Sequence, residues 1–146
     1  IFKREIVIKQ KSYLRKQSPA KTPLAKLKKD LWKVLSELVR REGLYCITCE
    51  KPLNWKESNA GHFIHGKKYP YAYFDRRNVN AQCRRCNLFL NGARDTYAVK
   101  LVEIYGDGIL RELFELKRDI KPPREFFEDR LHDYTQTLER LRRLDA

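Results

Sequence analysis

The sequence predicts an α+β protein in which helices flank a small, cysteine-stapled core that contains a β-hairpin. Three observations predict it. All four cysteines of the 146 residues fall into two pairs of identical spacing, Cys46-x-x-Cys49 and Cys83-x-x-Cys86. The chain after the first pair is broken into short segments by turn residues. The chain outside the pairs carries apolar residues at spacings of three and four.

Residues 1–21 read as a basic arm that ends in the turn or linker Ser18-Pro19-Ala20-Lys21. Thr22-Pro23 predicts a helix start, with Thr22 as N-cap and Pro23 in the first helical position. Leu24, Leu27, Leu31, Val34, Leu35 and Leu38 recur at helical spacing and Gly43 supplies a stop, so residues 22–44 are expected to be a helix packing on the core. From Tyr45 to about Phe74, the turn signals Glu50-Lys51-Pro52, Ser58-Asn59 and Gly66 read as a knuckle leading into a β-hairpin. A helix is expected from about Arg84, which completes a core over residues 45–94. Residues 95–146 form a C-terminal helical region. There Tyr97, Leu101 and Ile104 share a face of a helix from Asp95 to Tyr105, and Gly106-Asp107-Gly108 breaks it. Ile109, Leu110, Leu113, Phe114 and Leu116 make another, closed by Lys121-Pro122-Pro123. The last helix, about Arg124 to Leu144, carries Phe127, Leu131, Tyr134, Leu138 and Leu141, a stripe that either packs on the domain or forms a dimer surface. Trp32 and Trp55 are expected in the core.

Charge narrows the partner. Lys and Arg total 32 against 19 Asp and Glu, a net charge of +13. Residues 1–29 hold ten basic groups and one acid, and residues 61–94 hold seven and one, whereas the rest is balanced or slightly acidic. Two concentrated blocks point to a polyanion, nucleic acid above all, bound through phosphates. No apolar run approaches the ~20 residues that cross a bilayer, and the basic arm lacks the amphipathic face of a membrane-surface helix.

Two Cys-x-x-Cys knuckles separated by 33 residues can present four thiolates in a tetrahedron around Zn²⁺. Two disulfides or a redox motif are the alternatives, and a matched set with no spare cysteine favours zinc. Such a site is structural, holds Tyr45–Cys49 beside Gln82–Asn87, and suits a reducing compartment. Between the knuckles lies Ala60-Gly61-His62-Phe63, before the second lies Phe74-Asp75-Arg76-Arg77-Asn78, and Asn87 follows the last cysteine. Closing the zinc site would fold His62, Asn78 and Asn87 towards one another.

With these residues in this order, the stretch from about Tyr45 to Gly92 resembles the HNH (ββα-metal, His-Me finger) nucleases with a four-cysteine zinc support. Within them, Cys-Ile-Thr-Cys, Ala-Gly-His-Phe, Phe-Asp-Arg-Arg-Asn-Val-Asn-Ala-Gln-Cys-Arg-Arg-Cys-Asn and Asn-Gly are similar to the phage NinG/Rap recombination family. The Tyr97–Gly106 stretch, ending in Glu-Ile-Tyr-Gly, extends the resemblance to about residue 116.

The resemblance implies a ββα-metal core and an endonuclease that cuts branched recombination intermediates such as Holliday junctions, in the cytoplasm of a bacterial host. It implies His62 as the general base, Asn87 as a ligand of a catalytic Mg²⁺ or Mn²⁺, and Asn78 as the residue that braces the loop and orients the histidine. A homodimer would supply the two sites that paired cuts need. Two departures stand out. Many HNH sites place an Asp directly before the histidine, where this chain has Gly61. The carboxylate must then come from elsewhere, with Asp75 the first choice, or the amides and phosphate suffice; Asp75 is equally read as a turn residue or an Arg partner. Asn80 stands where a His is expected in close relatives.

Lys67, Lys68, Arg76, Arg77, Arg84, Arg85 and Arg94 flank the site as candidate phosphate contacts. Tyr69, Tyr71 and Tyr73 alternate among them, either to stack on unpaired bases or to pack one face of a strand. His65 reads as a DNA contact or surface residue, and His132 receives no role. Two other readings compete: a non-catalytic zinc-ribbon module binding DNA or RNA, and a helical assembly protein of a phage recombination complex.

Overall fold

The computed structural model describes residues 22–145; the basic arm expected at 1–21 lies outside them. The element order is α1 (Leu24–Glu42), β1 (Asn59–His62), the single turn α2 (Pro70–Tyr73), β2 (Val79–Gln82), α3 (Arg94–Tyr105), α4 (Ile109–Glu115) and α5 (Arg124–Leu144). A 3₁₀ turn over Arg76–Asn78 precedes β2 and a π-type turn over Arg85–Phe89 follows it. The protein is α+β, mostly helical, with one two-stranded antiparallel sheet among the described residues.

Helices α1 and α5 make the largest packing layer. Leu27, Leu31, Leu35, Leu38 and Val39 of α1 are buried, as are Phe126, Phe127 and Leu138 of α5, and Phe126 and Phe127 share one cluster with Leu27, Leu31, Leu35 and Val39. The α5 stripe is therefore used inside the chain. Each such side chain contributes about 1.5–3 kcal/mol by leaving water. A second cluster gathers Phe63, Ile64, Tyr97, Leu101, Ile109 and Leu113 under α3 and α4. A third is small: Cys46, Cys83 and Cys86, with Leu53 and Ala93 the partly buried apolar side chains against them among the described residues.

Several expectations are corrected. Pro23 itself occupies the N-cap of α1, and no side chain caps the helix there, Thr22 included. The second strand is Val79–Gln82, beyond the hairpin expected before Phe74. Tyr69–Tyr73 is not a strand, because Pro70 opens α2, and Tyr71 packs edge-on against Phe126 of α5. Ile104 is 58% exposed although Tyr97 and Leu101 are fully buried, so the α3 stripe is narrower than its spacing suggests. Trp55 is only partly buried and lies under the Arg41 guanidinium, 3.9 Å from its centroid, rather than in the core.

The sheet is sandwiched. Asn59, Gly61, Asn80 and Gln82 share one face by register, and Ala60, His62, Val79 and Ala81 share the other, which meets α1. Gly43 makes the close approach of α1 to β2 possible. Its φ of −83° is open to any residue, yet a Cβ there would stand 2.3 Å from Ala81 Cβ. Gly43→Ala is expected to destabilise the protein by about 1–3 kcal/mol through overpacking. The urea midpoint should fall with an unchanged slope; an unmoved midpoint would mean that the contact yields freely.

Candidate functional site

Strand β2 ties the two knuckles together. Ile47 N–H donates to Ala81 O at 3.0 Å, and Gln82 Nε2 donates to Thr48 Oγ1 at 3.2 Å. The first knuckle closes through Cys46 N–H to Lys51 O, 2.8 Å, and Glu50 N–H to Cys46 O, 2.9 Å. All four cysteines are free thiols, and their Sγ atoms lie within 4.8 Å of one another. Cys49 Sγ and Cys83 Sγ are 3.7 Å apart. Tetrahedral Zn–S bonds of ~2.3 Å imply S···S edges of about 3.8 Å, so the cluster has the size that such an ion requires. Burial raises Cys46, but hydrogen bonds from backbone amides and the Thr48 hydroxyl outweigh it and bring the thiol down to about 6. Burial pushes Cys86 up to about 12. The four cysteines can hold a metal ion such as zinc.

His62 ends β1 and is partly buried against two rings, Trp32 and Tyr73, whose own centroids are 5.2 Å apart. Trp32 of α1 stacks on it with centroids 4.8 Å apart, and Tyr73 stacks at 4.3 Å. Its Nε2 lies 3.0 Å from Tyr73 O. A carbonyl only accepts, so Nε2 carries the proton and Nδ1 keeps the lone pair. Burial, opposed by the Tyr73 carbonyl and assisted by neighbouring His65, holds the imidazolium at about 4, leaving the ring neutral near pH 7. His65 is exposed and its ring centroid lies 6.5 Å from that of His62.

Asn78 is fully buried and satisfied from every side. Its Oδ1 accepts from Ile64 N at 2.7 Å, and its Nδ2 donates to Ile64 O at 3.1 Å and Ala72 O at 2.9 Å. Phe63 N–H also donates to Asn78 O, 2.9 Å. Asn78 thus pins the turn just after His62 to the helix that supplies the Tyr73 carbonyl. Asn78→Ala would leave buried backbone groups unpaired, at an expected cost of about 3 kcal/mol. Thermal denaturation reads this loss, and a variant as stable as wild type would contradict it.

Asn87 begins no helix of its own but sits in the π-type turn, with Oδ1 3.0 Å from where a Cβ on Gly61 would lie. The same point is 2.0 Å from Gln82 Oε1. Gln82 is fully buried, and this oxygen has no hydrogen-bond partner among the described residues. Gly61 is therefore glycine because Gln82 fills the space of its side chain. His62, Asn78 and Asn87 come together around residues 61–64, though His62 presents its ring to α1 and Asn87 approaches from the other face.

Asp75 is placed otherwise. Its Oδ1 accepts from Arg77 N at 2.9 Å and Arg77 Nε at 3.1 Å, and its Oδ2 accepts from the other end of the same guanidinium at 3.1 Å. The carboxylate is the cap of the 3₁₀ turn and the partner of Arg77, so it is not free for a metal. Asn80 donates to Arg77 O and Tyr97 Oη, both at 3.1 Å, and Tyr97 Oη donates to Gly61 O at 2.8 Å.

The seven candidate phosphate contacts divide. Arg76 pairs with Glu42, and Arg77 with Asp75 and Glu112, so these two are engaged within the fold. Lys67, Lys68, Arg84, Arg85 and Arg94 are exposed and enter no ion pair among the described residues. Sequence reasoning missed Trp32 and Gln82 as parts of this site. Trp32 read only as a core residue, and Gln82 carried no signal beyond its place before Cys83.

No helix among the described residues is long and apolar enough to cross a membrane. A family model described as Bacteriophage Lambda NinG protein matches residues 2–144. No curated protein and no solved structure matches the chain.

Proposed function

The chain belongs to the NinG family, and from that premise we propose that it is a zinc-supported, metal-dependent endonuclease of the HNH type that cuts branched DNA. The observation that carries the proposal is the state of His62: a neutral imidazole whose Nε2–H is spent on Tyr73 O, leaving Nδ1 as a base. Water loses a proton to Nδ1 as its oxygen attacks phosphorus, the bond to the 3′-oxygen breaks, and the leaving oxygen takes a proton from solvent. Trp32 and Tyr73 hold the ring plane, and Asn78 holds the loop that brings the Tyr73 carbonyl to Nε2. A hard divalent ion, Mg²⁺ or Mn²⁺, would offset the charge that develops on the phosphate. Asn87, half-buried, is the residue that would offer such an ion an amide oxygen, with DNA phosphate and waters completing the shell, whereas burial closes Gln82 Oε1 to ion and water alike. Lys67, Lys68, Arg84, Arg85 and Arg94 bind phosphates on either side. Cutting paired strands of a junction calls for two copies of the site, hence a dimer on DNA, inside a bacterial host cell.

A second reading has one observation in its favour. A histidine packed against two rings and bonded to a carbonyl is also a good structural residue, which suits a non-catalytic zinc-ribbon binder of DNA or RNA. A scaffolding role for the C-terminal helices has less support, because α5 spends its apolar stripe on α1. Incubating the zinc-loaded full chain with a four-way junction in Mg²⁺ or Mn²⁺ is expected to give paired nicks beside the branch point. Binding with no cutting in either ion would leave the binder.

A further inference from the structure

Next to the candidate site, three consecutive apolar residues face solvent. Leu88, Phe89 and Leu90 are 53, 73 and 47% exposed, and Phe89 is among the most exposed large apolar side chains of the described residues. Folding alone gives no reason for this, since a run of exposed apolar residues costs solubility without adding to a core. We propose that Leu88–Leu90 is an apolar wedge that stacks against unpaired bases at a DNA branch point, beside the phosphate to be cut. The proposal rests on the DNA-branch reading above and gives that reading its means of recognising a branch.

The wedge is rigidly mounted. It projects from the turn that contains Cys86 and Asn87, closed by Leu90 N–H to Arg85 O at 3.0 Å and Gly92 N–H to Cys86 O at 2.8 Å. Asn91, Gly92 and Ala93 follow with φ of 51, 84 and 49°. A left-handed conformation costs roughly 1–2 kcal/mol at a non-glycine residue, so two of them mark a reversal that the surrounding bonds enforce. Ala93 N–H returns to Leu90 O at 2.9 Å, fixing the base of the wedge from behind. A pre-ordered apolar projection loses little entropy on insertion.

Charge selects the partner. Arg84 and Arg85 stand exposed and unpaired among the described residues immediately before the wedge, and Arg94 does so after it. The only acid of residues 61–94, Asp75, is bound by Arg77. A second copy of this face would bring like charges together, whereas DNA brings phosphates to the arginines and base faces to Phe89. Apolar wedges must unstack a duplex before they enter it, at a cost of a few kcal/mol per step. A branch point is already unstacked. The wedge thus favours branches over uniform duplex.

The test uses the zinc-loaded full chain, Ca²⁺ in place of Mg²⁺, and a four-way junction carrying 2-aminopurine at the branch. Wild type is expected to change the fluorescence at the branch and not in a linear duplex of the same sequence. Phe89→Ala and Phe89→Ser should abolish that change and weaken junction binding about tenfold, with duplex affinity within twofold of wild type. Both variants sit on an exposed side chain, and equal zinc content checks their folding. An unaltered signal and junction preference in the variants would overturn the wedge. A changed oligomeric state in sedimentation with unaltered DNA signals would assign the patch to self-association and overturn it equally. Cleavage is not read here, so a protein that shows the wedge but never cuts sinks only the nuclease.

Discussion

In Cys83→Ser, or after chelation, residues 45–94 are expected to lose their protection from hydrogen exchange while α1 and α5 keep theirs. The physical reason lies in how little else holds that region. Its sheet is two strands of four residues, and a two-stranded sheet is marginal in water without support. Among the described residues, Leu53 and Ala93 are the only partly buried apolar side chains packed against the cysteine cluster. A structural zinc site contributes about 10–16 kcal/mol of apparent binding free energy, which is folding free energy where no site exists in the unfolded chain. Helices α1 and α5 have their own buried Leu and Phe layer and depend on the metal less. The melting transition should split or fall by tens of degrees, and zinc content should drop to near zero. Metal-free protein that melts at the wild-type temperature would contradict a structural ion at these four cysteines.

Much of this arrangement is legible in the chain. The stripes of α1 and α5 are long and regular, and the two Cys-x-x-Cys pairs announce a cluster that the structure assembles. What escapes is what depends on partners distant in sequence. Tyr69, Tyr71 and Tyr73 alternate as a strand would, yet Pro70 suits the first turn of a helix and Tyr71 finds Phe126, 55 residues on. Arg76 and Arg77 look like phosphate contacts until Glu42 and Glu112 are brought to them from α1 and α4. Asp75 satisfies both the turn and the arginine that its neighbours suggest. Gly61 reads as a missing carboxylate; in three dimensions its place is taken by Gln82. The stacking of Trp32 on His62 joins residues 30 apart that no periodicity connects.

The second large effect concerns His62. His62→Ala removes the free Nδ1 base and, with it, about 10²–10⁴-fold of rate from general-base catalysis. The ring also packs on Trp32 and Tyr73, so alanine costs some stability as well. His62→Gln separates these contributions: its amide can still donate towards Tyr73 O but offers no base near pH 7. Both variants should retain zinc and bind DNA as wild type does, because the free cations at Lys67, Lys68, Arg84, Arg85 and Arg94 are untouched.

The most direct measurement is therefore cleavage of a four-way junction and of a linear duplex by wild type, His62→Ala and His62→Gln, in Mg²⁺ or Mn²⁺, with zinc content and DNA affinity matched. The expected result is paired nicks beside the branch by wild type only, with at least a hundredfold loss in both variants and little cutting of the duplex. Equal cutting by His62→Gln would remove His62 as the base, and binding without cutting by all three would contradict the enzyme outright.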